Sequence, residues 1–309
     1  MDLSVVVPTL NGRDQLQGCL DAVAKQAPDA ELVVVNGPSA DGTTGMVTDR
    51  EDVDVLIEVA SRTATVARNA GIDAASGDVI AFLGDDLRVE SSWLDAVTDG
   101  LSEAPVVTGP THRSLRGGVA TESTEEVTIT GRSVTAIAGH NVAFRRAVLE
   151  DIDGFDEYLE TGGAWDVAHR LAANDHAVAW RPTMSVRREL EADGGRTTHD
   201  WGWTYRALAY RLVKNYGLRP TIARRTLSHA ASDAITAARD VLRGDAEPTT
   251  WFGTGRRVIS GIFTGSSDGL VARARDRSDA PNPHGLSKRA DRVVTKYELR
   301  GDDEIEPDR

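Results

Sequence analysis

Two adjacent carboxylates, Asp85 and Asp86, follow the apolar run "VIAFLG" (79–84). Side by side their charges repel, and either a divalent cation or water relieves the repulsion. Hard divalent cations take oxygen ligands and keep positions open for phosphate oxygens. The pair is therefore a candidate cation site, with a solvated Asp-Asp turn as the alternative. Two other polar, turn-forming stretches also follow apolar runs: "PTLNG" (8–12) and "NGPSADG" (36–42). Ligands of open α/β sheets bind beyond the carboxyl ends of the strands. If the strands are parallel, all three stretches converge on one rim, and the carboxylates stand on it.

The elements that must build this rim alternate along the first hundred residues. "LSVVVPTL" (3–10), "ELVVVN" (31–36), "VDVLIEV" (53–59) and "DVIAFLG" (78–84) read as buried strands. Between them, "GRDQLQGCLDAVAKQ" (12–26), "DGTTGMVTDRE" (41–51) and "TATVARNAGIDAAS" (63–76) read as helices, with a further helix at "ESSWLDAVTDGLSE" (90–103). Such alternation means βαβ units and a mostly parallel sheet. Further on, "PVVTGPT" (105–111) reads as a strand, "STEEVTIT" as an edge hairpin or loop, and 134–159 as strand, turn, strand and short helix. "GGAWDVAHRLAAND" (162–175) reads as a helix, "AVAWRPTMSVRRE" (177–189) as a strand pair, and "HDWGWTYRALAYRLVKNYG" (199–217) as a long aromatic helix. We expect one half-domain over 1–105, a second over 106–218, and a helical, Arg-rich extension over 219–309 that is loose after about Asp276.

Composition narrows the class. The net charge of −13 argues against nonspecific nucleic-acid binding, which needs a basic surface. Aspartate outnumbers glutamate 31 to 17, and only four of the 35 basic residues are lysine. An Asp-rich, Lys-poor surface suits high salt, where self-repulsion is screened within about 3 Å at 1 M, so we read a halophilic source. The single cysteine, Cys19, excludes an intrachain disulfide and sits on the apolar side of a helix, as small core filler. We expect a cytoplasmic protein with no signal peptide or spanning helix, able to lie on the cytoplasmic face of the membrane.

Five stretches in order carry a family resemblance: "VVVPTLNGRDQLQGCLDAV", "ELVVVNGPSADGT", "ARNAGIDAASGDVIAFLGDD", "GHNVAFRRAVLEDIDGFDE" and "DVAHRL". They resemble the family 2 glycosyltransferases over roughly residues 1–215. The resemblance implies a GT-A fold, a Rossmann-like, mostly parallel sheet flanked by helices. It also implies inverting transfer from a nucleoside-diphosphate sugar, and a divalent cation, Mn2+ or Mg2+. In these terms Asp86 resembles the DxD-type residue that holds the cation, and Asp85 the neighbour that faces the ribose or donor sugar. Pro8, Thr9 and Asn11 resemble the turn lining the nucleobase pocket. Asn36 stands where an Asp commonly contacts the base, and Arg68 and Asn69 match a motif abutting the nucleotide. Gly84 departs from the pattern, many relatives having a third Asp there.

The catalytic base is the weak match. Relatives show an acidic pair at the entry of the helix ending in "LxxR". Aligned back from Arg170, that pair falls on Gly163 and Ala164, neither of which can take a proton. Asp166 remains as the candidate base, with an i,i+4 ion pair to Arg170 as its alternative. His140, His169 and His199 are further candidate bases. His199 also resembles a residue that reaches the metal or diphosphate, beside Asp200, which suits an N-cap. Trp201, Trp203, Tyr205 and Tyr210 could floor an acceptor-sugar site or fill core. The arginines of the extension, Arg224, Arg225, Arg239, Arg243, Arg256, Arg257, Arg273 and Arg275, suit an anionic membrane face or a solvated helical pair. The first fits a lipid-linked glycan acceptor on polyprenyl or dolichyl phosphate. Two other readings stand beside this one. A nucleotidyltransferase would want more Gly and Lys after strand one than "PTLNGRD" supplies. A degenerate, non-catalytic sugar-nucleotide binder is favoured by Gly163-Ala164.

Overall fold

The computed structural model describes residues 1–115, 118–121, 125–188, 200–243, 248–275, 282–286 and 292–299. Strand and helix alternate as β1 (Leu3–Thr9), α1 (Arg13–Gln26), β2 (Glu31–Asn36), α2 (Thr43–Thr48), β3 (Val55–Val59), α3 (Ala64–Ala74) and β4 (Val79–Leu83). There follow β5 (Leu87–Val89), α4 (Trp93–Glu103), β6 (Val106–Thr108), β7 (Thr111–Leu115), β8 (Gly118–Thr121), the hairpin β9 (Glu126–Ile129) and β10 (Arg132–Thr135), β11 (Asn141–Arg145) and α5 (Arg146–Asp151). The chain ends with α6 (Gly163–Ala173), β12 (Val178–Trp180), β13 (Val186–Arg188), α7 (Trp201–Tyr216), α8 (Pro220–Arg243), α9 (Pro248–Arg275) and β14 (Val293–Glu298).

One eight-stranded sheet, ordered β12-β6-β11-β4-β1-β2-β3-β14, forms the centre. Its strands are parallel except β11 and β14, which run antiparallel to their neighbours. Strands buried on both faces need continuous apolar runs, and "LSVVV" and "ELVVV" supply them. Val5 and Val7 point to one layer and Val6 to the other, as do Leu32 and Val34 against Val33 and Val35. Helices α1 and α4 cover the first face, α3 and α6 the second. Cys19 is fully buried in the first layer, and burial pushes its thiol pKa far up, so it stays protonated and inert. A smaller sheet, β5-β13-β7-β8, stands beside the rim.

Two segments differ from the sequence expectation. The stretch 177–189 contains two strands, but they join different sheets: β12 extends the central sheet beside β6, while β13 pairs with β5 and β7. The Gly- and Arg-rich run 249–275, within the extension expected to be helical, is one long helix, α9. Residues 293–298, expected to be loose, form β14 on the free edge of β3. Arg292 secures that return, pairing with Asp73 at 2.8 Å and with buried Glu157 at 2.8 Å.

The glycines of α9 explain why it is a helix despite its composition. Gly261, Gly265 and Gly269, four residues apart, line the face against α7. A Cβ at Gly265 would lie 2.1 Å from the Arg206 carbonyl oxygen, and one at Gly261 2.2 Å from that of Gly202. Each glycine costs helix propensity of about 1 kcal/mol, which the close backbone approach of the two helices offsets. Gly265→Val should separate them: we expect a loss of at least about 2 kcal/mol in urea unfolding and new proteolytic cleavage within α9.

Candidate functional site

The carboxyl ends of β1, β2, β3 and β4 open onto a single cleft of about 240 Å³. Pro8, Thr9 and Leu10 line it after β1, Gly37 after β2, Ser61, Arg62 and Thr63 after β3, and Asp85 after β4. The Thr9 hydroxyl donates to Asp85 Oδ2 at 2.7 Å. A Cβ at Gly12 would lie 2.5 Å from that same oxygen, so a glycine there lets the carboxylate fold over the start of α1. Burial raises the Asp85 pKa above the ordinary carboxylate value; the Thr9 hydroxyl opposes the shift and the Asp86 charge reinforces it. Asp86 faces Arg188 of β13. Arg188 Nε stands 2.5 Å from Asp86 Oδ2 but is poorly aligned, and Nη2 donates to Oδ1 at 3.3 Å. The contact is a close ion pair more than a directed hydrogen bond.

The other expected ligand residues have internal partners. Asn11 takes a left-handed φ of 53° and ties two loops together: its N–H donates to Ser39 Oγ and its Oδ1 accepts from the Ala40 N–H. Asn36 is buried, accepting from Ser39 Oγ at 2.7 Å and donating to Thr44 Oγ1 at 3.0 Å. Asp41, a turn residue outside that set, accepts from the N–H groups of Arg13 and Thr43, the second at the entry of α2, and these bonds lower its pKa after the larger effect of the Thr43 hydroxyl. Asn69 is also buried, and its amide exchanges hydrogen bonds with the backbone of Phe155 and donates to Glu157. Arg68 stacks over the Phe155 ring at 5.3 Å. Its Nε makes no hydrogen bond, and desolvation pulls its pKa down to about 10.

For Asp166 the structure contains the ion pair. Arg170 Nε lies 2.9 Å from its Oδ2, Lys214 Nζ 3.1 Å from the same oxygen, and Asn215 Nδ2 donates to Oδ1 at 2.9 Å. The side chain is 0% exposed, and its pKa lies far below the usual range because Lys214 and Arg170 outweigh burial. The geometry leaves Asp166 neither the exposure nor the basicity to take a proton from an incoming hydroxyl. Lys214 also reaches Asp156 Oδ2 at 2.5 Å, closing a fully buried cluster. Gly163 and Ala164 stand at the entry of α6, where the resemblance places the acidic pair.

His169 is buried, its Nδ1 3.0 Å from the Tyr216 hydroxyl; burial, then the Arg211 charge, lowers its pKa to about 3. His140 is half-buried, its Nε2 2.9 Å from Thr111 Oγ1. His199 lies outside the described residues, while Asp200 caps α7 by accepting from the Trp203 N–H. Of the α7 aromatics, Tyr210 is buried and stacks on Tyr158 at 4.0 Å, Trp203 tilts over Tyr158, and Trp201 is exposed. Tyr205 faces a second cavity, of about 330 Å³, between the β9–β10 hairpin, α6, α7 and α8.

Among the described residues no three His, Cys, Asp or Glu side chains converge as a preformed metal cage. Asp85 and Asp86 fit the other mode, in which one or two carboxylates hold Mg2+ or Mn2+ and substrate phosphates complete the coordination. Ser61–Thr63 was missed from sequence. The rule that selected the ends of β1, β2 and β4 applies equally to the end of β3, whose "ASRT" carries the same polar signal.

Residues 4–153 match Glycosyl transferase family 2. Among curated relatives, Glycosyltransferase AglE of Haloferax volcanii is 32% identical over 52% of this chain and 58% of its own length. The Pre-mycofactocin glycosyltransferase of Mycobacterium tuberculosis is 22% identical over 61% of this chain and 43% of its own. The chain thus spans about half the length of the curated relatives it matches. Among solved structures, S. aureus TarS 1-349 in complex with UDP-GlcNAc superposes with a TM-score of 0.61 at 17% identity, covering 90% of this chain and 91% of that one. The mannosyltransferase PcManGT of Pyrobaculum calidifontis, in complex with GDP-Man and Mn2+, gives 0.55 at 18% identity, covering 89% and 88%. The fold is GT-A. The chain carries a family 2 glycosyltransferase domain.

His169 yields a test of the burial described here. The folded protein refuses a proton that the unfolded chain accepts below about pH 6.5. This contribution to stability is therefore complete above that pH and lost as pH falls towards 3. Between pH 6 and 4 we expect wild type to lose about 1 kcal/mol per pH unit from this group, and His169→Asn to flatten that slope in chemical denaturation.

Proposed function

We propose that this protein is an inverting glycosyltransferase that moves a sugar from a nucleoside-diphosphate sugar to an acceptor on a polyprenyl- or dolichyl-phosphate lipid. The observation that carries the donor half is the cleft at the ends of four parallel strands, with Asp85 inside it and Asp86 next in sequence. The two solved neighbours, one in complex with UDP-GlcNAc and one with GDP-Man and Mn2+, support the same half.

In this reading Pro8, Thr9 and Ser61–Thr63 hold the nucleoside, and Arg62 and Arg68 supply positive charge. Asp86 and Asp85 would hold Mn2+ or Mg2+. When bound, that cation offsets the charge of the departing diphosphate as a Lewis acid. Asn11, Asn36 and Asn69 act one step away, fixing the loops that shape the cleft. Asp166 positions α6 and does not take a proton. Arg188, already paired with Asp86, adds a positive charge at the rim.

The lipid half draws on α9. Ile259, Phe263 and Leu270 are exposed, by 59%, 75% and 41%, on the side away from the glycine face, and Arg256 and Arg257 stand beside them. Such a stripe supports peripheral contact with an anionic membrane. Among the described residues no helix is long and apolar enough to cross one. The extension over 219–309 is then the part that docks, and the side of the membrane is the cytoplasmic one. A non-catalytic sugar-nucleotide binder is the second reading, favoured by the carboxylate-free entry of α6.

Calorimetry at molar salt separates the readings. UDP- and GDP-sugars titrated with Mn2+ should bind wild type, and Asp86→Ala should weaken binding at least tenfold, about 1.4 kcal/mol. Metal-independent binding that Asp86→Ala leaves unchanged would remove the cation from Asp86. Tight binding with neither donor hydrolysis nor transfer would favour the second reading.

A further inference from the structure

The second cavity, between the hairpin and α6, α7 and α8, is not used by the donor reading. Its electrostatics are unusual for a protein of net charge −13. Arg211 and Arg225 both line it. Arg211 lies over the Trp165 ring at 5.8 Å, and its Nε is buried without a hydrogen-bond partner. Desolvation lowers its pKa to about 10; Asp166 opposes the shift and the Arg225 charge adds to it. Among the described residues no carboxylate pairs with either guanidinium. The two acids on the wall are Glu125, which is exposed, and Asp233, which accepts from the Tyr205 hydroxyl at 2.6 Å. The remaining titratable neighbours are His169, held neutral, and His229. A half-buried arginine whose Nε is sealed from water and unpaired, next to a second guanidinium, is placed to meet an anion. Val127, Ile129, Leu208 and Leu212 give the same cavity an apolar side.

The entry of α6 lies against this side chain. Gly162 has a left-handed φ of 75°, and a Cβ there would lie 2.4 Å from Arg211 Nη1. The segment that lacks an acidic pair is therefore the segment over which an arginine lies. It also borders the donor cleft: a Cβ at Gly163 would meet Thr65 at 2.7 Å, and Thr63 and Ala64 line that cleft.

We propose that the cavity binds the phosphate of a phosphomonoester on an apolar carrier, clamped by Arg211 and Arg225, and that an ionised oxygen of this phosphate is the nucleophile. The inference rests on the transferase reading above and deepens it. A lone pair on the phosphate oxygen forms the new bond to the anomeric carbon. The bond from that carbon to the donor's diphosphate oxygen breaks, and its electron pair leaves with the nucleoside diphosphate. No proton is transferred. A phosphomonoester is already ionised at neutral pH, its second pKa being about 6, so the α6 entry needs no carboxylate. A hydroxyl acceptor would need one.

The test uses the full chain with geranyl phosphate, geraniol and inorganic phosphate. Each is titrated alone and then offered with labelled UDP- and GDP-sugars. Arg211→Gln and Arg225→Gln are run beside wild type, with circular dichroism to confirm folding; Arg225→Gln keeps the test open if the more buried variant fails to fold. We expect geranyl phosphate to bind and to be glycosylated, geraniol to do neither, and each variant to weaken geranyl phosphate binding at least tenfold. The transfer rate should be flat from pH 7 to 9. The proposal is overturned if geraniol is glycosylated as well as geranyl phosphate, if both variants bind geranyl phosphate like wild type, or if the rate climbs through that pH range as a base titrates. Equal affinity for inorganic phosphate overturns the apolar carrier. Donor heat is read separately. Donor binding without geranyl phosphate binding sinks this inference alone, and the reverse sinks the donor reading while leaving the anion clamp.

Discussion

The buried cluster of Asp156, Lys214, Asp166 and Arg170 is the constraint on which the second half of the molecule depends. It carries two negative and two positive charges, and every member is buried. Taking such groups out of water costs several kcal/mol each, and only close pairing with further hydrogen bonds offsets it. Here those bonds exist: Tyr210 donates to Asp156, Asn215 to Asp166, and Lys214 reaches Asn282 as well. These contacts tie α7 to α6 and to the 153–158 loop. The entry of α6, and with it the boundary between the two cavities, is positioned by charges that themselves do no chemistry.

The same economy appears around Asn69 and Arg292. Asn69 stitches α3 to the backbone of Phe155, and its contact Glu157 is held in turn by Arg292, which precedes β14. The distal chain thus returns to brace the helix whose start lines the donor cleft. A Rossmann-like half needs its helices held rigidly if strand-end loops are to present ligands, since loops carry little stability of their own. In this protein the bracing is polar and buried, and asparagines that look like ligand residues in sequence are spent on it.

That accounts for what was legible in the sequence and what was not. The central strands were readable because two-sided burial demands apolar runs, as in "LSVVV" and "ELVVV". The place of Asp85 at the cleft was readable because polar residues that end parallel strands gather on one rim. Asn36, Asn69 and Asp166 were not readable to the same degree, because a polar residue at a strand end or a helix entry has the same sequence signature whether it meets a ligand or a buried neighbour. The role of Gly261, Gly265 and Gly269 in α9 was hidden because glycine depresses helix propensity, and only the partner helix shows why it stands there. β14 was hidden because an edge strand of alternating exposure is short and polar. Arg211 was invisible as a site residue, since its meaning comes from Gly162, nearly fifty positions earlier.

The acidic surface and the cationic cavity are compatible for a physical reason. A net charge of −13 repels phosphorylated ligands at a distance. In molar salt that repulsion is confined to about 3 Å from each exposed charge. Partly buried charges are screened less than exposed ones, so the guanidiniums of Arg211, Arg225 and Arg188 keep their strength at contact. Long-range steering is lost and short-range recognition remains. A protein with this surface can carry many aspartates outside while binding anions inside, provided the positive groups sit in cavities rather than on the exterior. Arginine suits that placement better than lysine: its guanidinium is weakly hydrated, stays charged when buried, and offers several donors to a phosphate. The sequence's near-absence of lysine follows the same logic, and among the described residues the one fully buried lysine, Lys214, is committed to carboxylates in the cluster between α6 and α7.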